Sequence, residues 1–434
     1  MATESGFKLR SSKLNGYDFL SVIISQSRSA KELSLINLCQ DLYEQYGVTI
    51  SKQGLDQRFD SPAIMFFKTV LETILRELFC GPVPELPCKG FAAVKIKDST
   101  CFQLPEAYAD TYPGSGGSGS KAAIRLQFEY DMLRGEICDL SIHAFNDQDK
   151  KNAVDTLGEI NPGELIVRDL GYVNLDMPEG IARQEAFFIS KLPTNVEHVY
   201  LKKEQGEYEK VDFEKLVGKM GRNSLHQMEY QAYLGEKKYP IRLLIEKVPQ
   251  QVYEQRLKKA EREAKKKGRK LSKVKKTRMW FNVFMTNVEK GRLSHRAVQE
   301  IYRLRWQIEL IFKTWKSYGE LDEVKPMKQA RFECMLYAKL IWLSIQSKLL
   351  WGMLHRFMEN GLIKLSMMKV SNLLTRKAKE IWSHSRLGQK KIIGYLETVI
   401  QMVGQFCEFE VKKGKKSSYE IIEEFLLNNC KSVV

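Results

Sequence analysis

Histidine is scarce and dispersed. His143, His198, His226, His295, His355 and His384 are the only six in 434 residues. None stands at a spacing that suggests a metal ligand or a general base. The eight cysteines (Cys39, Cys80, Cys88, Cys101, Cys138, Cys334, Cys407 and Cys430) include no CxxC pair. That excludes the usual zinc spacing and, in a long chain, points to reduced cytosolic thiols rather than a disulfide framework. The opening "MATESGFKLRSSKLNG" lacks the apolar centre of a signal peptide. The most apolar stretch, "CMLYAKLIWLSIQSKLLWGML", is interrupted by Lys339, Gln346 and Lys348 and cannot be an unbroken bilayer span. The Gly/Ser segment "PGSGGSGS" (113–120) has no GK[ST] ending, so it is a flexible loop and not a phosphate-cradling P-loop. No internal repeat is present. These absences lead us to expect a soluble cytoplasmic protein with no membrane partner.

What is abundant is apolar side chain and positive charge. The chain is 43% hydrophobic and 10% aromatic, the composition of a folded protein. Its length suggests two to four domains as a starting expectation. Net charge is +16 and the pI is near 9.3, which favours a polyanionic partner. The charge is concentrated. Arg256 to Arg278 holds thirteen Lys or Arg against two Glu, an excess of +11. Such a run is usually a solvated helix face; the alternative is an arm that follows a nucleic-acid backbone.

Residues 17–80 read as short amphipathic helices. One ends at Gly47, and the next is capped by Ser51 and carries Lys52, Gln53, Gln57 and Arg58. A helix-turn-helix DNA reader and a plain helical bundle fit this pattern equally. The Pro-rich "CGPVPELPCKG" marks a boundary. Beyond it the period becomes two: "FAAVKIKDST" reads as a short strand ending at Asp98, then a hairpin turns at Arg134-Gly135. A helix follows, then the strand "ELIVRD" ending at Asp169 and the strand "EAFFISKL". This order predicts a mixed α/β domain. Residues 196–248 look β-rich, 250–278 basic and helical, and "MWFNVFMTNV" returns to strand. From about residue 328 the pattern is helical.

"IYRLRWQIELIFKTWKS" (301–317) is predicted to be one helix without Gly or Pro. At about 100° per residue, Tyr302, Arg305, Glu309 and Lys316 fall within roughly 60° of one another. Ile308, Ile311 and Trp315 take the opposite side. A solvated stripe with ion pairs such as Glu309–Lys313 is the bland reading, and a lone strand-end aspartate is ordinarily a turn residue. Together, Asp98, Asp169 and Glu309 suggest more. Three carboxylates converging on one point need a cation between them. Hard oxygen donors select Mg²⁺ or Mn²⁺. Two such ions, about 4 Å apart, suit phosphodiester chemistry. Arg305 and Lys316 then offer charge to phosphate oxygens, and Tyr302 a hydrogen bond.

The helix fits the Tyr–two–Arg–three–Glu–six–Lys signature of the insertion-sequence-four family of bacterial DDE transposases. "KDSTCFQLP", "YPGSGGSGS…FEYDM", "VRDLGY", "FNVFMTNV" and "RWQIELIFKTWKS" occur in that family's order, so the resemblance covers roughly residues 50–320. It implies a ribonuclease H-like core whose catalytic and metal-binding triad is Asp98, Asp169 and Glu309, with two Mg²⁺ or Mn²⁺ ions. Tyr302, Arg305 and Lys316 would hold DNA phosphates. The implied domains are a helical DNA-binding region (1–85), the core in two parts (86–195 and 286–330), a β-rich insertion with its basic arm (196–285), and a helical C-terminal domain, a candidate for dimerisation (331–434). The implied partner is double-stranded DNA, at the element's ends and at the target, met by a homodimer at the bacterial nucleoid. The implied chemistry is hydrolysis, often through a hairpin, then joining of the 3′-OH to target DNA. Trp280 is the candidate for stacking on a flipped base, and an ordinary buried aromatic fits that position as well. A domesticated DNA-binding protein that keeps the fold without transposition is the alternative.

Overall fold

The computed structural model describes residues 1–7, 13–26, 34–79, 90–115, 119–147, 149–172, 175–194, 196, 198–222, 225–359, 364–410 and 418–426. The expected boundary at 80–89 lies outside them, as do Cys80, Cys88 and Cys430; the Gly/Ser loop lies partly outside. Cys39, Cys101, Cys138, Cys334 and Cys407 are all free thiols.

The chain begins with α1 (Gly16–Gln26), α2 (Leu35–Tyr46), α3 (Lys52–Gln57) and α4 (Ser61–Phe79). Ser34 caps α2, and Gly47 ends it at φ 65°, a conformation that glycine adopts without steric cost. Ser51 caps α3 by accepting from the Gly54 N–H. Then come β1 (Val94–Leu104), β2 (Ala122–Asp131), β3 (Glu136–Ala144), α5 (Asp149–Asp155), β4 (Leu165–Arg168), α6 (Met177–Arg183) and β5 (Phe187–Lys191). The middle of the chain holds β6 (Val199–Lys202), β7 (Tyr208–Lys210), α7 (Phe213–Arg222), β8 (Gln227–Leu234), β9 (Tyr239–Lys247), α8 (Gln250–Lys266), α9 (Lys273–Arg278) and β10 (Phe281–Thr286). The remainder is helical: α10 (His295–Arg303), α11 (Trp306–Ser317), α12 (Gln329–Glu359), α13 (Met367–Arg376), α14 (Ala378–Arg386), α15 (Gln389–Phe406) and α16 (Ser418–Ile421).

These elements form two compact units. The first comprises Met1–Glu85, Ser99–Asn146 and Gln307–Lys415. In it, Phe7, Phe19, Phe59, Phe66 and Phe67 form one aromatic cluster. The β2–β3 hairpin turns at Gly135, where a side-chain carbon would meet the Trp351 ring at 2.0 Å. Long α12 packs on α4 and α1. Two of its buried polar residues are satisfied inside the unit: Lys339 donates to the Glu320 carbonyl, and Gln346 donates to the Ser371 carbonyl and Thr375 Oγ1. No helix among the described residues is long and apolar enough to cross a membrane.

The second unit comprises Leu86–Asp98, Asp147–Trp306 and Lys416–Val434. Its sheet runs β1-β4-β5-β10-β9-β8-β6-β7, with β1, β4 and β5 parallel and the later pairs antiparallel. Period-two alternation gives its strands two distinct faces. Ile166, Phe188, Ile241, Leu243, Ile245, Phe281, Val283 and Met285 point into one apolar core. Asp98, Asp169, Lys191 and Phe284 belong to the other face.

Two sequence expectations need correction. β1 does not stop at Asp98 but runs on to Leu104, with β2 as its neighbour. Nor is 301–317 one helix. Leu304 and Arg305 form a turn between α10 and α11, with Leu304 N–H donating to the Ile301 carbonyl and Arg305 N–H to the Tyr302 carbonyl. Those bonds close one residue short of the α-helical pattern and tighten the end of α10.

Candidate active site

Parallel pairing sets the site. Lys97 lies opposite Arg168, and Arg168 opposite Ser190. The next residues along β1, β4 and β5 are Asp98, Asp169 and Lys191, so these three form one row on one face. Below them, Lys97 and Arg168 are buried towards the other face, donating to Thr156 Oγ1 and to the Ala153 carbonyl.

Arg305 draws the two aspartates to one guanidinium. Its Nη1 donates to Asp98 Oδ2 at 2.9 Å, and its Nε lies 3.5 Å from Asp169 Oδ1. Asp98 and Arg305 are each less than one-fifth exposed, and Asp169 is 38% exposed. Tyr302 is buried and donates from its hydroxyl to Asp169 Oδ1 at 3.3 Å. Burial first, and the Asp169 charge second, push its phenol well above the ordinary tyrosine range, so it remains a donor. The break at Leu304–Arg305 is what lets Arg305 turn back to the aspartates. Sequence periodicity placed Arg305 on a helical stripe with Tyr302, Glu309 and Lys316; in the structure, Arg305 and Tyr302 both reach the aspartate row.

Glu309 and Lys316 are carried on α11, in the other unit. Ile308, Ile311 and Trp315 of α11 are buried as the pattern predicted; Phe312 is buried as well, and Phe312 and Trp315 pack edge-on against Phe128 of β2. Glu309 is half-buried in the first turn of α11. Lys316 donates to the Cys101 carbonyl on the second half of β1, at 3.0 Å.

Two carboxylates drawn to one cationic group are hard oxygen donors of the kind that a small divalent cation takes. In that respect the pair fits Mg²⁺ or Mn²⁺, and Arg305 provides the positive charge between them here. Among the described residues, no group of three or more His, Cys, Asp and Glu side chains is gathered closely enough to hold an ion.

The family described as "Transposase DDE domain" matches residues 89–345. The chain belongs to that family. It is 31% identical to the transposase of insertion sequence element IS231E from Bacillus thuringiensis subsp. finitimus, over 86% of this chain and 81% of that one. It is 27% identical to the IS1151 transposase of Clostridium perfringens, over 98% of this chain and 92% of that one. A solved structure of the piggyBac transposase synaptic complex with hairpin DNA has a TM-score of 0.44 and 10% identity, covering 96% of this chain and 83% of that one.

In this transposase, Trp280 precedes β10 and already has a stacking partner. Its indole lies on the Tyr253 ring, with centroids 4.0 Å apart and planes 9° apart, and the Lys247 ammonium is 5.4 Å from the ring centroid. The basic run forms α8 and α9, with Lys265, Lys266, Lys267, Arg269 and Lys270 all exposed. Sequence reasoning missed Lys191. The available signal was that "FFISK" reads as a third strand ending in a polar residue, as "KIKD" and "IVRD" do.

Proposed function

We propose that this transposase binds double-stranded DNA at the inverted-repeat ends of its insertion sequence, cleaves there, and joins the 3′-OH ends to target DNA. The observation that carries this reading is the pairing of Asp98 with Asp169 on neighbouring parallel strands, drawn to Arg305. Parallel β1, β4 and β5, with the antiparallel β2–β3 hairpin, support a ribonuclease H-like core in residues 86–195 and 286–330. Residues 196–285 are then a β-rich insertion with its basic arm. Exposed Lys52, Gln53 and Gln57 on α3 support a DNA-reading role for residues 1–85. The helices of 331–434 are the candidate dimerisation domain of a homodimeric synaptic complex. The setting is the cytoplasm, at the nucleoid.

Asp98, Asp169 and Glu309 are the residues that would hold Mg²⁺ or Mn²⁺; two such ions, when bound, activate a water or 3′-OH and stabilise the leaving oxygen. The chain's own groups position the DNA. Arg305 offers a planar fork of donors to phosphate oxygens once it is released from the aspartates. Tyr302 adds a neutral donor, and Lys316 a point charge. Trp280, already stacked on Tyr253, would present that pair to a flipped base if the ends are cut through a hairpin.

The test is cleavage of a duplex carrying the element's own end, with Mg²⁺ or Mn²⁺, by Asp98→Ala, Asp169→Ala and Glu309→Ala variants. We expect cleavage to fall to background while end binding persists, because the basic surface is untouched. Full cleavage by any of the three would refute its role.

A further inference from the structure

Lys191 closes the row that begins with Asp98 and Asp169, yet it has no role in the chemistry above. Its ammonium lies over two rings, 5.3 Å from the Tyr302 centroid and 5.7 Å from that of Phe284. Phe284 is its cross-strand partner on β10. Among the described residues, Nζ donates no hydrogen bond and has no carboxylate within ion-pair distance; the side-chain bond to Lys191 from Ser190 Oγ goes to its backbone carbonyl and leaves Nζ untouched. A lysine ammonium carries three donors. Here all three are available for a ligand.

The surroundings make that condition costly. Burial, and then Arg256 and Arg305, lower the pKa of Lys191, while Asp169 and Glu246 offset this in part. Two aromatic faces attract the charge but accept no conventional hydrogen bond. A structural lysine in such a place ordinarily ends on an oxygen acceptor, as Lys97 does on the Thr156 hydroxyl and Lys316 and Lys339 do on backbone carbonyls. Lys191 instead sits at the edge of the aspartate pair, beside the phenol that donates to Asp169. An anion placed there would use its donors and offset its desolvation.

We propose that Lys191 is a further DNA-contacting residue of this active site, binding a non-bridging oxygen of a phosphate next to the bond that is cut. This rests on the transposase reading of the site. The Lys191 side chain also touches the Tyr302 ring, so a phosphate bound by both groups would be held from two sides.

The experiment uses the full-length protein and a duplex carrying the element's end. End-binding affinity is measured across a series of salt concentrations for the wild type, Lys191→Met and Lys191→Arg. Loss of one phosphate contact should reduce the slope of log affinity against log salt by about 0.9 in Lys191→Met, while Lys191→Arg keeps the wild-type slope. In parallel, amine labelling of the wild-type protein, read by mass spectrometry, should show Lys191 protected when the duplex is added. This arm holds even if Lys191→Met does not fold. An unchanged slope in folded Lys191→Met, or unchanged labelling of Lys191 on saturation with duplex, overturns the proposal. Failure of the wild type to bind the duplex at all would instead overturn the transposase reading itself.

Discussion

Arg305 Nη1 lies 2.9 Å from Asp98 Oδ2, although 207 positions separate the two residues in the chain. The contact gives the aspartate pair a counter-charge from within the protein. It also engages the arginine that the sequence pattern assigned to phosphate. Binding of a divalent cation by the aspartates and release of Arg305 are therefore expected to be coupled.

That coupling predicts the behaviour of Arg305→Ala. Without divalent cations the variant should be less stable by about 1–3 kcal/mol, since two partly buried carboxylates lose their shared donor. Adding Mn²⁺ should raise its melting temperature more than that of the wild type, where the ion must displace the guanidinium. Cleavage should drop by about 10²–10³-fold, with a smaller loss of end binding. Equal Mn²⁺ shifts in the two proteins would show that Arg305 does not compete with the ion.

Lys339 supplies a pH test that is independent of DNA. Burial pushes its ammonium down to about 8, from the ordinary 10.5, despite Glu320, Glu323 and Asp322 nearby. The folded state therefore holds this proton less tightly than the unfolded chain does. The resulting penalty is complete below about pH 8 and is relieved as the pH rises towards the ordinary lysine value. Denaturation of the wild type and Lys339→Met from pH 7 to 10 should show the wild type gaining relative stability by a few kcal/mol at most. A difference independent of pH would contradict the assignment.

The exposed run on and after α8 makes a third prediction. Replacing Lys265, Lys266, Lys267, Arg269 and Lys270 with Gln should weaken DNA binding alike across sequences and flatten its salt dependence. Each lost phosphate contact removes about 0.9 from the slope. Thermal stability should hardly change, because these side chains are exposed and surface substitutions of this kind stay within about ±0.5 kcal/mol. Titrations that return the wild-type slope would assign the run to solvent and place the DNA path elsewhere.

The sequence by itself determined the local elements and the chemical vocabulary of the site. Period-two runs gave a strand that carries Asp98 and another that leads to Asp169; Ser51 and Gly47 set helix ends; and the ordered motifs announced the transposase family. These features were legible because caps, turns and periodicity depend on neighbours a few positions away. Tertiary structure alone decided which strand lies beside which. Hence it decided that Asp98, Asp169 and Lys191 share a row, and that β1 continues past Asp98. It also decided that a stretch with no Gly or Pro breaks at Leu304–Arg305, where Arg305 reaches the two carboxylates, and that Trp280 rests on Tyr253. Each of these depends on packing between segments far apart in the chain, where burial and charge pairing outweigh the fraction of a kcal/mol that local propensity contributes per residue.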